Sequence, residues 1–175
     1  MKCIKLLIAL VFCAGFQANA NTITIDLDAT EVNVGSVINV SLLADFTEPV
    51  DIFEFYFNYD TELFSFVSGS LSTDIIYDGF STMFEFGENT DGLGLAYLSL
   101  AGDFLLGSFE LASFSLQALK AGSSDFTLDT AVLQAFGDDL QLAPVLSPSA
   151  HVPAPATLVM FILALLIFAG IRRKA

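Results

Sequence analysis

The sequence contains no tryptophan and very little of the residue types that support nucleophilic or thiolate chemistry. Its two cysteines, Cys3 and Cys13, lie near the N-terminus, and its one histidine is His151. Nucleophilic triads of the His or Cys type need these side chains, and zinc sites need clusters of them. The central part of the chain is therefore predicted to hold no such catalytic site, no disulfide, no metal site of this kind and no cofactor.

Positive charge is equally scarce in the central region. Residues 21–151 carry all 20 acidic residues and a single basic one, Lys120, which gives a formal charge of −19. Proteins bind nucleic acid phosphates through Lys and Arg, and a strongly acidic body is repelled by an anionic membrane surface. The sequence therefore predicts no nucleic acid partner.

The remaining basic residues lie in two terminal segments. Lys2 and Lys5 flank the start of an apolar run over residues 6–16, and Ala18 and Ala20 supply small residues of the kind that signal peptidase needs. The run is too short to span a membrane, which favours a signal peptide over an uncleaved anchor. A signal peptide is predicted over residues 1–20, with cleavage after Ala20.

The C-terminus has the pattern of a short membrane anchor. Residues 156–171 are uncharged and almost wholly apolar, and as a helix they rise about 24 Å at about 1.5 Å per residue. A bilayer core of about 30 Å makes this a marginal span. Arg172, Arg173 and Lys174 follow and are predicted to stay cytoplasmic by the positive-inside rule. Residues 144–155 are rich in Pro, Ser and Ala and predict an extended linker.

The body between the two ends has the apolar period of β-strands. Apolar and polar residues alternate in most stretches, and Gly, Asp and Ser interrupt them at short intervals. The pattern predicts a single all-β domain over residues 21–143, an antiparallel sandwich or barrel with no helix. Strands are expected at residues 22–27, 36–42, 52–58, 63–67, 82–86, 93–100, 112–118 and 125–128.

One strand concentrates aromatic residues on a single face. Phe53, Phe55, Phe57 and Tyr59 alternate with polar or smaller residues, which favours a core face over a strip that binds ligand. Asp60 follows this strand and is predicted to accept backbone hydrogen bonds two or three residues on, in an Asx turn.

Candidate binding residues are few. Tyr56, Tyr77 and Tyr97 are the best candidates for sugar contact, because a tyrosine offers both a ring face and a hydroxyl. Residues 88–92 are weakly suggestive of calcium, without an EF-hand pattern. A glycosidase needs only two carboxylates, so a hydrolase stays open as an alternative. Its carboxylate pairs could be Asp26 with Asp28, Asp138 with Asp139, or Glu85 with Glu88.

The tail resembles the PEP-CTERM sorting signal of exported proteins in Gram-negative bacteria that make exopolysaccharide. Val152, Pro153, Ala154 and Pro155 match its Val-Pro-Glu-Pro box with Ala154 in place of Glu, and the apolar segment and basic cluster follow in order. The resemblance implies an exosortase-type processing enzyme as partner. It also implies a precursor anchored in the inner membrane and a product at the cell surface or in the extracellular matrix.

The body is similar to cohesin-like domains and to the carbohydrate-binding modules that share their sandwich of jelly-roll type. Residues 30–40 resemble an opening glycine turn that leads into a second strand, residues 55–66 a strand followed by Tyr-Asp and a leucine, and residues 111–124 a late strand with an Ala-Gly turn. The resemblance implies a non-catalytic β-sandwich that binds a protein or polysaccharide partner, such as the exopolysaccharide or another surface protein. A carboxylate-based polysaccharide hydrolase is the alternative.

Overall fold

The computed structural model describes residues 20–154, which form an all-β sandwich of eleven strands with no helix. Of the predicted signal peptide, only Ala20 lies within the described residues. The apolar segment 156–171 and the basic tail lie outside them. Among residues 20–154 there is no helix long and apolar enough to cross a membrane. The strands are β1 Thr22–Leu27, β2 Val37–Val50, β3 Ile52–Asn58, β4 Phe64–Phe66, β5 Thr82–Glu88, β6 Gly92–Ser99, β7 Leu105–Ala118, β8 Gly122–Asp125, β9 Thr127–Ala135, β10 Asp138–Asp139 and β11 Ser149–Val152.

Two antiparallel sheets of four and five strands make up the sandwich, and β8 and β11 form a separate two-stranded sheet. The first has the order β1-β2-β7-β4, and its two central strands of 14 residues pair from Val37 opposite Gln117 to Val50 opposite Leu105. The second has the order β10-β9-β3-β6-β5. Every strand pair within both sheets is antiparallel, which agrees with the predicted fold class.

The core between the sheets is built from phenylalanine. Phe53, Phe55 and Phe57 of β3 are at most 1% exposed, because alternate residues of a strand point to the same face. The ring of Phe57 meets that of Phe114 on the opposite sheet edge-on, with the centroids 5.1 Å apart. Tyr59 completes the row at 8% exposure. The prediction that this aromatic face is core is confirmed.

The turn after β3 also forms as predicted. A carboxylate oxygen of Asp60 accepts hydrogen bonds from the backbone N–H groups of Glu62 at 2.8 Å and Leu63 at 3.2 Å. Leu63 then returns to the core, where it is 5% exposed. Asp60 therefore has a structural role, as the Asx-turn interpretation proposed.

The expected linker over residues 144–155 differs from the structure, because part of it belongs to the folded body. Residues 149–152 form β11, which pairs with β8, and His151 bridges to Glu31 on its other side. Ala150 and Val152 point inward and are 1% and 0% exposed. The Pro, Ser and Ala composition predicts a linker. The alternating apolar residues Ala150 and Val152 nevertheless let this segment pair with β8 as a strand. The folded body therefore ends at about Val152 rather than at residue 143.

Candidate functional site

The two outer faces of the sandwich differ in chemistry. On the four-stranded sheet the outward residues are mainly small and polar and bind one another, with Val37 and Leu43 of β2 as exposed apolar exceptions. Ser115 donates to Asn39 at 2.7 Å and Ser113 donates to Glu110 at 2.7 Å. Side chains that satisfy each other in this way offer few free groups or apolar surface to a partner.

The outer face of the five-stranded sheet instead contains a shallow trough along β6. The outward residues of β6 are small at Gly94 and Ala96, whereas β3 carries Tyr56 and Glu54 beside them and β5 carries Glu85 beside Ala96. A Cβ atom placed on Gly94 would lie 3.8 Å from the ring of Tyr56, which therefore lies beside the glycine. Antiparallel register aligns the residues in three rows across β3, β6 and β5: Ile52, Leu98 and Met83; Glu54, Ala96 and Glu85; Tyr56, Gly94 and Gly87.

The trough has an acidic end and an apolar end. At the acidic end a depression of about 290 Å³ is lined by Glu54, Tyr56, Glu85 and Glu88, among others. A second depression of about 270 Å³ shares Glu54 and Glu85 with the first, and its other lining residues are mainly apolar: Ile52, Met83, Leu98 and Val132 are among them. Ala96 lines both, so the two depressions adjoin at this residue.

The electrostatics of the trough are set by carboxylates. Glu54 and Glu85 lie on either side of Ala96, two strand spacings or about 10 Å apart along the sheet. The Tyr56 hydroxyl donates to Glu54, and this hydrogen bond, with the nearby negative charge, raises the pKa of the Tyr56 phenol above its ordinary value. Lys120, the sole Lys or Arg within residues 20–154, pairs with Glu62 at 2.6 Å. The trough therefore favours a cationic, partly apolar ligand.

The three tyrosines predicted for sugar contact do not share a surface. Tyr56 faces the trough and is 37% exposed, and Tyr77 is 52% exposed in the segment before β5, where its ring packs on Phe84. Tyr97 points into the core at 3% exposure, and its hydroxyl donates to the Asp103 carbonyl. The Tyr97 candidate is therefore wrong, since a buried ring cannot stack on a sugar. Alternation along β6 places Tyr97 on the opposite face from Gly94 and Ala96.

The other acidic candidates are surface residues. Both members of each carboxylate pair considered from the sequence are exposed. Residues 88–92 form the hairpin turn between β5 and β6, in which the Asn89 side chain accepts a hydrogen bond from the Asp91 N–H at 2.9 Å. Within residues 20–154, no three or more His, Cys, Asp or Glu side chains are grouped so that they could hold a metal ion.

The predicted sorting box begins inside the folded body. Val152 is fully buried in β11, Pro153 is half-buried and Ala154 is exposed. Pro155, Arg172, Arg173, Lys174 and Ala18 lie outside the described residues. Ala20 immediately precedes Asn21, which is 1% exposed and whose side-chain oxygen accepts a hydrogen bond from the Thr47 N–H at 2.9 Å. Both predicted processing sites therefore lie within two residues of buried positions.

Of the residues that line the trough, the sequence singles out Tyr56, Glu85 and Glu88 for other roles, but it does not single out Gly94 and Ala96 of the floor. The alternation of Leu93, Leu95 and Tyr97 with Gly94 and Ala96 is visible there, and it indicates a strand with one face of small residues. Which strands lie on either side of those small residues depends on sheet order and register, which the alternation does not specify.

Comparison with known proteins identifies the fold of the chain. No protein-family model matches it, and no curated protein sequence is significantly similar. Among solved structures, the cohesin module of a family 33 glycoside hydrolase from Clostridium perfringens is 19% identical with a TM-score of 0.60, covering 78% of this chain and 98% of the module.

Two further cohesin structures give the same result. A type I cohesin–dockerin complex from Clostridium thermocellum matches at 12% identity and a TM-score of 0.61, covering 78% of this chain and 95% of the matched chain. The non-cellulosomal cohesin of Archaeoglobus fulgidus matches at 13% identity and a TM-score of 0.53, covering 77% and 92%. The chain therefore has a cohesin-like fold, as the sequence predicted.

Proposed function

We propose that the body is a non-catalytic module that binds a protein partner through the trough of the five-stranded sheet. The observation that carries this proposal is the contrast between the two outer faces. The four-stranded face is covered mainly by polar side chains that bind one another. The other face has an adjoining apolar depression, with Glu54 and Glu85 on either side of Ala96. A patch with an apolar centre and a charged rim is typical of a protein interface.

The shape of the trough indicates the chemistry of the partner. Small residues at Gly94 and Ala96 leave room for side chains of a partner, and Met83 and Leu98 provide apolar contact. Glu54 and Glu85 provide negative charge on both sides. We expect the partner to present apolar side chains together with Lys or Arg, because this pairing complements both halves of the trough.

The similar structures favour a protein over a polysaccharide as the ligand. The Clostridium thermocellum cohesin was solved with a dockerin, and so was a cohesin from Acetivibrio cellulolyticus. Sugar binding would call for exposed rings that share a surface, and Tyr56 and Tyr77 lie on different segments. The hydrolase alternative would need two carboxylates on either side of a glycosidic bond, for which Glu54 and Glu85 would be the residues to test.

Export and sorting form the second half of the proposal. The signal-peptide pattern and the PEP-CTERM-like tail support secretion, temporary anchoring by residues 156–171 and cleavage by an exosortase-type enzyme. The product would then reside at the cell surface or in the extracellular matrix of a Gram-negative bacterium, where the trough meets its partner.

The binding proposal is tested with two matched variants. Ala96→Arg fills the trough floor, and Ser41→Arg places the same side chain on the central β2 of the opposite face, also at a small half-buried position. Each protein is immobilised and exposed to the exported proteins of its host and to the host exopolysaccharide. We expect the native chain and Ser41→Arg to retain the same protein, and Ala96→Arg to lose it. New reducing ends in the polysaccharide would instead support the hydrolase.

A further inference from the structure

One end of the sandwich carries a cluster of exposed apolar side chains. These residues come from the segment before β5, the β6–β7 loop with the start of β7, and the β9–β10 turn. Ile76 and Phe80 are 90% and 86% exposed. We call this cluster the apolar tip, and it consists of Ile76, Phe80, Leu100, Phe104, Leu106 and Phe136. Monomeric proteins seldom expose so many large apolar residues in one place, and such patches mark interaction sites.

The loops of the tip are fixed by hydrogen bonds. The Asp78 carboxylate accepts hydrogen bonds from the N–H groups of Phe80 at 2.8 Å, Ser81 at 2.7 Å and Thr82 at 2.9 Å. The next loop is tied to this turn, because the Leu100 N–H donates to the Ser81 carbonyl at 2.7 Å. Phe80 is therefore held exposed on an ordered turn, and presenting it costs little conformational entropy when a partner binds.

A third loop is ordered against the second. The rings of Phe104 and Phe136 lie with centroids 4.5 Å apart, and the Phe136 N–H donates to the Asp51 carboxylate at 2.9 Å. Phe136 has a φ of 53°, the left-handed region, and is the one non-glycine residue with positive φ among residues 20–154. A bulky residue in this conformation is strained, and such strain is concentrated at functional sites.

A hollow of about 550 Å³ adjoins the tip and indicates what could fill it. Its lining is mainly apolar, with Ile75, Phe104, Leu105 and Phe109, and its carboxylates are Asp74, Asp78 and Asp103. Lys120 is the one Lys or Arg within residues 20–154, and it lies near Glu62 just beyond the last residue of β7, whereas the tip lies at the first residues of β7. The hollow therefore combines apolar surface with uncompensated negative charge.

The position of the tip also argues against the membrane proposed to anchor the chain as the ligand of the tip. The tip lies where β7 begins, and the chain leaves the body from β11, which pairs with β8 just after β7 ends. At about 3.3 Å per residue, the 14 residues of β7 separate the two ends by roughly 45 Å. An anionic bilayer or a second copy of a body with a charge of −19 would be repelled.

We propose that the apolar tip is a second docking surface, beyond the trough, for a polypeptide segment that alternates large apolar side chains with Lys or Arg. The apolar side chains of that segment contact Phe80, Phe104 and Phe136, and its cations face Asp74 and Asp103. Charge complementarity selects this ligand over acidic proteins and over membranes.

The test uses the full-length chain in phosphatidylcholine nanodiscs and a labelled peptide of alternating leucine and lysine. Two peptides serve as controls: serine with lysine measures charge alone, and leucine with glutamate reverses the charge. The tip variant is Phe80→Ser, Leu100→Ser, Phe136→Asn, since Asn tolerates positive φ. The matched variant, Val37→Ser, Leu43→Ser, Leu119→Ser, removes as many exposed apolar residues elsewhere.

We expect the leucine–lysine peptide to bind the native chain, the matched variant and Ala96→Arg alike, and to bind the tip variant at least about tenfold more weakly. Equal binding to the tip variant, or equal binding of the serine–lysine peptide, would overturn the proposal. So would binding of phosphatidylglycerol vesicles through the tip, or self-association that the tip variant abolishes. Loss of peptide binding with Ala96→Arg alone would place the peptide in the trough, which overturns this inference and leaves the proposed function intact.

Discussion

At the residue scale, Gly92 shows how tightly the strands beside the trough pack. It has a φ of 155°, and a Cβ atom at this position would lie 2.1 Å from the carbonyl oxygen of Phe57 on the neighbouring strand. That oxygen belongs to the backbone and cannot move without disturbing the pairing of β3 with β6. A glycine is required here because no side chain fits.

Replacing Gly92 with alanine should therefore destabilise the body by more than about 1 kcal/mol. Gly87 lies on the other strand of the same hairpin and provides the control, since a Cβ atom there meets nothing within 4 Å. Gly87→Ala should leave the free energy of unfolding unchanged or slightly raised. Urea denaturation of both variants measures the difference, and equal stability of the two would refute the steric argument.

Single residues also show where prediction from sequence succeeds. The turn at Asp60 was predicted correctly because an Asx turn is local and needs only its own backbone. Tyr97 was wrongly proposed as a sugar contact because its exposure depends on which face of β6 meets the core. The alternation of Leu93, Leu95 and Tyr97 in the sequence places the three side chains on one face of β6. This apolar face indicates that Tyr97 is a core residue, unlike Tyr56.

At the scale of elements, most strands follow from apolar alternation, and β11 shows why some do not. The predicted strand at residues 52–58 coincides with β3, and β1 also has its predicted bounds. Four residues between prolines carry too short a pattern to distinguish a strand from a linker. Their strand conformation depends on hydrogen bonds to distant partners, with the His151 N–H donating to the Thr30 carbonyl and the Val32 N–H to the His151 carbonyl.

The position of β11 predicts where the mature chain ends. Since Val152 is fully buried and Ala154 is exposed, a processing enzyme should cut on the C-terminal side of Val152 and leave β11 on the body. Mass spectrometry of the surface form in the native host measures this. We expect a last residue at or beyond Val152 and before the apolar segment. A chain that ends before Ser149 would contradict the role of β11, and an intact Ala175 would contradict processing.

At the scale of the whole molecule, the fold class could be predicted from the sequence but the trough could not. Alternation and turn residues are sufficient for an antiparallel sandwich. The rows across β3, β6 and β5 come from strands that are separated along the chain, and their order is set by how the sheets pair. The apolar tip is likewise assembled from three loops that meet through the fold alone.

Net charge acts on the whole molecule as well. The body carries −19 and has one ion pair, Lys120 with Glu62, among the described residues, so screening removes far more repulsion than attraction. Salt shortens the reach of surface charges to about 8–10 Å at physiological ionic strength. The melting temperature should therefore rise as NaCl is added. Identical melting temperatures in low and high salt would show that repulsion is not a significant term.

We propose that the cohesin-like body binds a protein through the trough of its five-stranded sheet. The most direct measurement is the affinity of the retained partner for Ala96→Arg and for Ser41→Arg, compared at the same ionic strength. We predict that Ala96→Arg weakens binding by at least about tenfold, because a residue at the centre of an interface carries much of its binding energy. Ser41→Arg should bind as the native chain does. If Ser41→Arg loses the partner and Ala96→Arg retains it, the partner binds the four-stranded face and not the trough.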